Sequence, residues 1–344
     1  MSILQQLMRS AQPAGQLQTH GLPDARWSPF EVAFWCVPIA VFFFLPDYLV
    51  FGSQVLIVGL FALSLDLVLG YAGIVSLGHA GFFGLGAYTA GLLAAHGWGE
   101  PLTGLAAGAL VAALAGFCVS FLVVRGQDLT RLMVTLGIGL MLYEAANKMA
   151  FLTGGVDGLS GVTMRNLLGT FAFDLEGRTA YVYSLVVLFL VFMLLRRLVR
   201  SPFGLSLRGI QQGPKRMPAI GADVRMRLVV AFTVSAAVAG VAGGLLAQTT
   251  QFVGLDSLGF SRSAELLIML VLGGAGRLYG ALIGAAVFMV AQDVLAGINP
   301  VYWQFWIGLL LMVIVLFARG GILGGLEAAV SAVKAKRAHK GGAA

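Results

Sequence analysis

From Gly70 to Thr89 the chain reads Gly-Tyr-Ala-Gly-Ile-Val-Ser-Leu-Gly-His-Ala-Gly-Phe-Phe-Gly-Leu-Gly-Ala-Tyr-Thr. Tyr71, Ser76, His79, Tyr88 and Thr89 are hydrogen-bonding side chains set among apolar and glycine residues. Such groups can hold a polar solute by hydrogen bonds, and Gly78 lets backbone approach it. Six glycines between 70 and 86 are too many for a stable isolated helix, because each costs ~1 kcal/mol relative to alanine. Two readings follow. The segment is a broken helix whose freed N–H groups face a solute, or it is a seam where glycines let helices approach closely. Both can hold together, and a lone histidine such as His79 is more often a hydrogen-bonded structural residue than a ligand or proton carrier.

Charged residues inside apolar runs are the next candidates, since ionisable groups in a membrane interior default to a functional reading. They are Asp66, Glu144, Lys148, Glu265 and Asp293. Glu144 and Lys148 stand four apart on one helix face and are expected to pair. Asp66 and Asp293 lie near the ends of their runs, where they can reach the interface. Glu265 opens a short run and suits a helix N-terminus, with a place on the solute path as its functional reading. No chain of acids or histidines fit for proton pumping is present. No nucleophile–base arrangement, metal-ligand cluster or Gly-x-x-x-x-Gly-Lys-Ser/Thr loop is present either, so no catalytic residue, metal or ATP site is assigned to this chain. Cys36 and Cys118 match no redox or metal spacing.

The elements that carry these residues follow from composition. The chain is 59% hydrophobic and 11% charged, against about 25% charged in a soluble domain. Apolar runs fall at 32–46, 54–70, 82–95, 104–124, 131–151, 180–196, 228–248, 264–274, 280–298 and 303–318. An all-α, polytopic transmembrane bundle is expected, of about eight to ten spans. The short 82–95 and 264–274 runs read as broken or half-spanning segments, tolerated where they are buried in protein or line a cavity. Gly104–Gly108, Gly240–Gly244 and Gly280–Gly284 each read Gly-x-x-x-Gly and predict packing seams.

The net charge of +7 does not imply nucleic acid, because the basic residues sit in short segments between apolar runs. Between 196 and 227 lie Arg196, Arg197, Arg200, Arg208, Lys215, Arg216, Arg225 and Arg227, with Asp223 the only acid. That segment is expected in the cytoplasm. Arg319, Lys334, Lys336, Arg337 and Lys340 place the tail there too, and alternation places the N-terminus, with Arg9 and Arg26, on the same side. The 152–179 loop, with Asp157, Asp174 and Glu176 against Arg165 and Arg178, falls outside. The expected organisation is a cytoplasmic segment 1–31, a transmembrane domain 32–319 with a cytoplasmic loop at 197–227, and a basic tail 320–344. The polar first residues carry no clear cleavage site, so no cleaved signal peptide is expected.

Within the cytoplasmic loop, Ser201-Pro202 predicts an N-cap with proline at the first helical position. Phe203, Leu205, Leu207, Arg208 and Ile210 then place apolar and basic groups on one short helix. Pro214 is expected to start a second short helix that Gly221 ends. A basic, partly apolar element between spans suits docking on another protein. Its alternative is a solvated loop that only enforces topology.

Three stretches together resemble the permeases of the branched-chain amino acid ABC importer family, in particular LivM-type subunits. They are the 70–93 segment, the run from Arg200-Ser201-Pro202-Phe203-Gly204 through Ala219-Ile220-Gly221 to Ala239–Leu245, and Glu265–Gly280. The resemblance spans roughly 50–325. It implies a bacterial inner-membrane subunit paired with a second, related permease as a heterodimer. It also implies two cytoplasmic ATPases holding ATP and Mg, a periplasmic solute-binding protein, and 201–221 as the segment seated on an ATPase. One departure is that no acid stands between Ser201 and Ala222, and Pro214 and Pro218 interrupt the segment. The same architecture serves urea, short amides and aromatic carboxylates. A channel or ion-driven transporter is the alternative from another class; it predicts an ion-binding cluster and no ATPase.

Overall fold

The structure is a computed structural model that describes residues 29–126, 128–166, 176–317, 321, 322 and 324. The segment before 29 with Arg9 and Arg26, Asp174, Arg319 and the basic tail from 325 lie outside the described residues. Each of the ten apolar runs forms a helix. These are α1 (Pro29–Phe44), α2 (Leu49–Asp66), α3 (His79–Ala95), α4 (Pro101–Arg125), α5 (Asp128–Lys148), α6 (Arg178–Arg200), α8 (Val224–Thr250), α9 (Phe260–Gly273), α10 (Leu278–Ile298) and α11 (Trp303–Phe317). The short helix α7 (Pro202–Gln212) lies between α6 and α8. Among the described residues, those up to Val37 belong to one compact unit and those from Pro38 to a second. In the first, Phe34 meets Trp35 edge-to-face at 5.8 Å. All that follows concerns the second.

Among the described residues, six helical stretches are long and apolar enough to cross a membrane: Pro46–Tyr71, Pro101–Arg125, Leu129–Lys148, Arg178–Arg200, Val224–Thr250 and Leu278–Ile298. With the shorter apolar helices they make a multi-pass membrane protein. At 1.5 Å per residue, the 14 residues of α9 reach only about 21 Å, short of a ~30 Å hydrocarbon core. The start signals are local. Proline opens α4 and α7, and the Asp223 carboxylate accepts the Met226 N–H at 3.1 Å to cap α8.

The core is built around α8, which packs mainly on α4 and α3 and next on α2. Glycine makes that approach possible. A methyl on Gly240 would stand 2.6 Å from the Gly108 carbonyl oxygen, and one on Gly108 would stand 2.9 Å from that of Gly86. A methyl on Gly243 would overlap the Phe83 carbonyl oxygen. Gly280 and Gly284 form the matching seam with Gly273 on α9. The Gly-x-x-x-Gly pairs are therefore packing seams, as their spacing predicts.

Glu144 and Lys148 depart from expectation. Both lie exposed on α5, and no ion pair joins them.

Candidate functional site

The glycine stretch is a helix break. After Asp66, α2 widens into a π turn over Leu67–Tyr71, the chain runs irregularly through residues 72–78, and α3 begins at His79. Pi turns of this kind recur at functional sites. Gly73 takes φ +72°, a left-handed conformation that favours glycine.

Two of the donors at the break go to side chains of distant helices. The Leu77 N–H reaches Thr135 Oγ1 on α5 at 3.3 Å, and the Ala80 N–H reaches Ser263 Oγ on α9 at 2.9 Å. Gly78 sits against the Thr135 carbonyl, with no room for a side chain. Around Leu77–Ala80 the break is thus a sealed seam. His79 is fully buried, with Nε2 2.9 Å from Ser64 Oγ and 3.3 Å from Ser235 Oγ. The Ser64 hydroxyl already donates to the Phe61 carbonyl and the Ser235 hydroxyl to the Ser64 carbonyl, at 2.6 and 2.5 Å. The proton in this contact must then come from His79 Nε2, which leaves Nδ1 as a buried acceptor without a hydrogen bond among the described residues. Ser76 Oγ is likewise buried without one.

One ring layer away from His79 the molecule opens. Phe61 stacks on His79 at 5.9 Å and on Phe83 at 4.4 Å. Both phenyl rings line a cleft completed by Val58, Leu246, Leu266 and Met269, with Arg262 and Glu265 as its charged members. Glu265 does not cap α9, as its place in the apolar run suggested. The helix begins at Phe260 with Gly259 as its N-cap, which puts Glu265 in the second turn, where it accepts from Arg262 at 3.3 Å. The cleft holds only about 30 Å³, room for a water or two, and its cation and anion pair with each other, so a solute with both charges and an apolar body enters only if the cleft widens. Tyr88 and Thr89 are not brought to this cleft. Tyr88 is buried in an apolar cluster with Leu159, Val253 and Leu258, and the Thr89 hydroxyl donates to Leu85 of its own helix at 2.7 Å.

The predicted docking segment forms α7 and a 3₁₀ turn, Met217–Ile220, which Gly221 ends at φ +77°. Three local readings change. Ser201 occupies the N-cap position, but its hydroxyl donates back to the Leu198 carbonyl at 2.6 Å, because α6 runs directly into α7. The second helix starts at Met217, with Pro218 as its early proline, because Pro214 lies in the preceding turn. Leu207 and Ile210 face inward, at 0% and 2% exposure, so they hold α7 to its own chain and offer nothing to a partner. Phe203 is half-buried, Arg208 is exposed, and the outward apolar groups are Leu205 and Ile220, at 50% and 75% exposure.

Asp66, a candidate expected at the interface, is the residue whose placement changes most. It is fully buried, and its Oδ1 accepts the Gly276 N–H at 2.7 Å. Its position near the end of a run suggested an interfacial side chain, but the π turn continues past it and carries it inside. Sequence reasoning missed Ser64, Ser235 and Arg262. Arg262 alone carried a signal, at i,i+3 spacing from Glu265.

A family model described as "Branched-chain amino acid transport system / permease component" matches residues 49–316. The chain is 31% identical over 283 residues to the high-affinity branched-chain amino acid transport system permease protein LivM of Escherichia coli K12, covering 76% of this chain and 66% of that protein. It is 30% identical over 294 residues to LivM of Salmonella typhimurium, covering 79% and 69%. Similarity to the E. coli K12 permease protein LivH is 23% over 287 residues, covering 77% and 90%. The chain thus spans about two thirds of the length of the LivM proteins. No solved structure matches. The family match runs from the start of α2 into α11 and takes in the helix break, the cleft and α7, so the chain belongs to the permease family of branched-chain amino acid transport systems.

Proposed function

We propose that this chain is one of two related permeases in an ATP-driven importer of apolar amino acids. The second permease is a LivH-like chain, two cytoplasmic ATPases hold ATP and Mg, and a periplasmic binding protein delivers the solute. The protein sits in a bacterial inner membrane with both termini in the cytoplasm, and it holds no cofactor of its own. Similarity to both LivM and LivH, which are separately named permeases of a high-affinity system in E. coli K12, supports a heterodimer.

The observation that carries the reading is α7. Its inner face is fixed to the chain by Leu207 and Ile210, while Leu205 and the neighbouring Ile220 point outward between basic residues. A rigidly held element with an outward apolar face suits transmission of force from an ATPase. The substrate class rests on the cleft. In a widened cleft with the Arg262–Glu265 pair parted, a zwitterionic amino acid would match Arg262 with its carboxylate, Glu265 with its ammonium and the phenyl wall with its side chain. Urea and short amides have no such charge pair, and aromatic carboxylates have only one member of it.

The test is uptake into vesicles carrying the assembled complex. Labelled leucine is expected to accumulate only with ATP and the ATPases present. Glu265→Gln should raise the half-saturating concentration about ten-fold, consistent with loss of one charged contact. Accumulation by the purified chain alone on an ion gradient would defeat the importer reading. Unchanged affinity in Glu265→Gln would remove the cleft from solute recognition.

A further inference from the structure

Two breaks in the helical bundle meet at one point. The first is the π turn Leu67–Tyr71 with the irregular segment after it. The second is the connection between α9 and α10, where Gly274 and Gly276 take φ +102° and +80°. Gly70 and Gly276 are pressed backbone to backbone. A methyl on Gly70 would overlap the Gly276 nitrogen and Asp66 Oδ1, and would lie 2.7 Å from the Gly276 Cα. Asp66 bridges the two breaks through its 2.7 Å bond from the Gly276 N–H. Its other oxygen is buried and makes no hydrogen bond among the described residues.

The third participant is α7. The Arg208 guanidinium lies 5.0 Å from the centroid of the Tyr71 ring, which ends the π turn. One turn on, the Gln211 side chain lies 3.1 Å from where a Gly73 Cβ would stand. A fully buried carboxylate is expensive to keep, and hydrophobic packing alone would be served better by an apolar residue. The hydrogen bond that compensates Asp66 comes from the second break, and the π turn that follows Asp66 ends at Tyr71, under Arg208 of α7.

We propose that Asp66 is a positioning residue that locks the two helix breaks together under Arg208, so that displacement of α7 is delivered to α2–α3 and α9–α10 at once. This rests on the importer reading, since α7 is displaced only if an ATPase grips it. In the resting state, Arg208 over Tyr71 holds the π turn against Gly276. Movement of α7 withdraws the cation, loosens Asp66 from Gly276, and frees both breaks to shift beside the cleft that α2, α3 and α9 line. A residue that only stabilised the fold would lower the yield of complex without changing how hydrolysis is linked to uptake.

The test is a double-mutant cycle in the assembled complex, with Asp66→Asn, Arg208→Ala and both together, measuring retained ATPase, ATP hydrolysis and leucine uptake. Each single change is expected to lower leucine moved per ATP hydrolysed about ten-fold while the ATPases stay bound, and the double variant should be no worse than either single one. The inference is overturned if the two losses multiply to about a hundred-fold, or if uptake per ATP is unchanged in Asp66→Asn. It is also overturned if the only effect is a lower yield of complex with normal stoichiometry. Asp66→Asn keeps an acceptor for the Gly276 N–H, and Arg208 is exposed, so at least one arm reads out even if bulkier changes fail to fold. If the wild-type complex itself accumulates no leucine with ATP, the importer reading fails first, and that outcome is distinct from a working complex with independent losses.

Discussion

Gly243→Leu is expected to leave almost no folded protein, whereas Gly137→Leu should be recovered like the unaltered chain. Gly243 lies where α8 crosses α3 backbone to backbone. A methyl there would overlap the Phe83 carbonyl oxygen and come 2.9 Å from the Ala87 nitrogen. Neither neighbour is a flexible side chain, so the helices must separate. Separation also opens the Gly86–Gly108–Gly240 contact that binds α4 to the same pair. Overpacking a core side chain costs ~1–3 kcal/mol, and displacing backbone against backbone lies at or beyond the upper end. Gly137 has nothing within 4 Å of its Cβ position. Gly78→Leu belongs between them, because it displaces α5, which packs less extensively than α8. The measurement is the monodisperse fraction of each variant in detergent and its melting temperature. Equal recovery of Gly243→Leu and Gly137→Leu would refute the seam.

Replacing Leu205 and Ile220 together with aspartate should strip the ATPases from the complex while leaving the chain itself folded. Both side chains project outward, at 50% and 75% exposure, on the segment with the strongest basic character. Losing an apolar anchor at the centre of an interface costs about 2 kcal/mol or more, which is roughly thirty-fold in affinity. Leu207→Ala gives the opposite pattern. That side chain is buried within the chain, so its truncation leaves a cavity costing ~2–5 kcal/mol, and it should lower the melting temperature of the isolated permease. Co-purification of the ATPase and thermal stability, measured side by side, separate the two. Normal ATPase retention in the Leu205→Asp, Ile220→Asp double variant would return the outward face of α7 to a role at the lipid interface or in topology.

Much of this molecule was legible in the sequence. The ten apolar runs placed ten helices to within a few residues, because a bilayer admits only backbone that satisfies its own hydrogen bonds. Gly70–Gly86 announced a break, and the Gly-x-x-x-Gly pairs announced seams, because glycine acts through backbone approach, which is written in local sequence. The three long stretches that carry the family resemblance were legible for the same reason: each is contiguous.

Only the tertiary structure decided which way side chains face and which distant residues meet. Leu207 and Leu205 are two residues apart with the same apolar character, yet one is core and the other surface, and that depends on where α7 rests. Asp66 reads as an interfacial acid until Gly276, 210 residues later, is laid against it. His79 reads as a hydrogen-bonded structural residue, but only the fold shows that Ser64 and Ser235 arrive from two other helices to hold it. Glu144 and Lys148 have the spacing of a pair, but on the exposed face of α5 they do not form one. Periodicity and composition report what a residue costs in water or lipid, and so they specify elements. A contact between elements is settled by packing of the whole bundle, where a glycine on one helix determines how closely another can come.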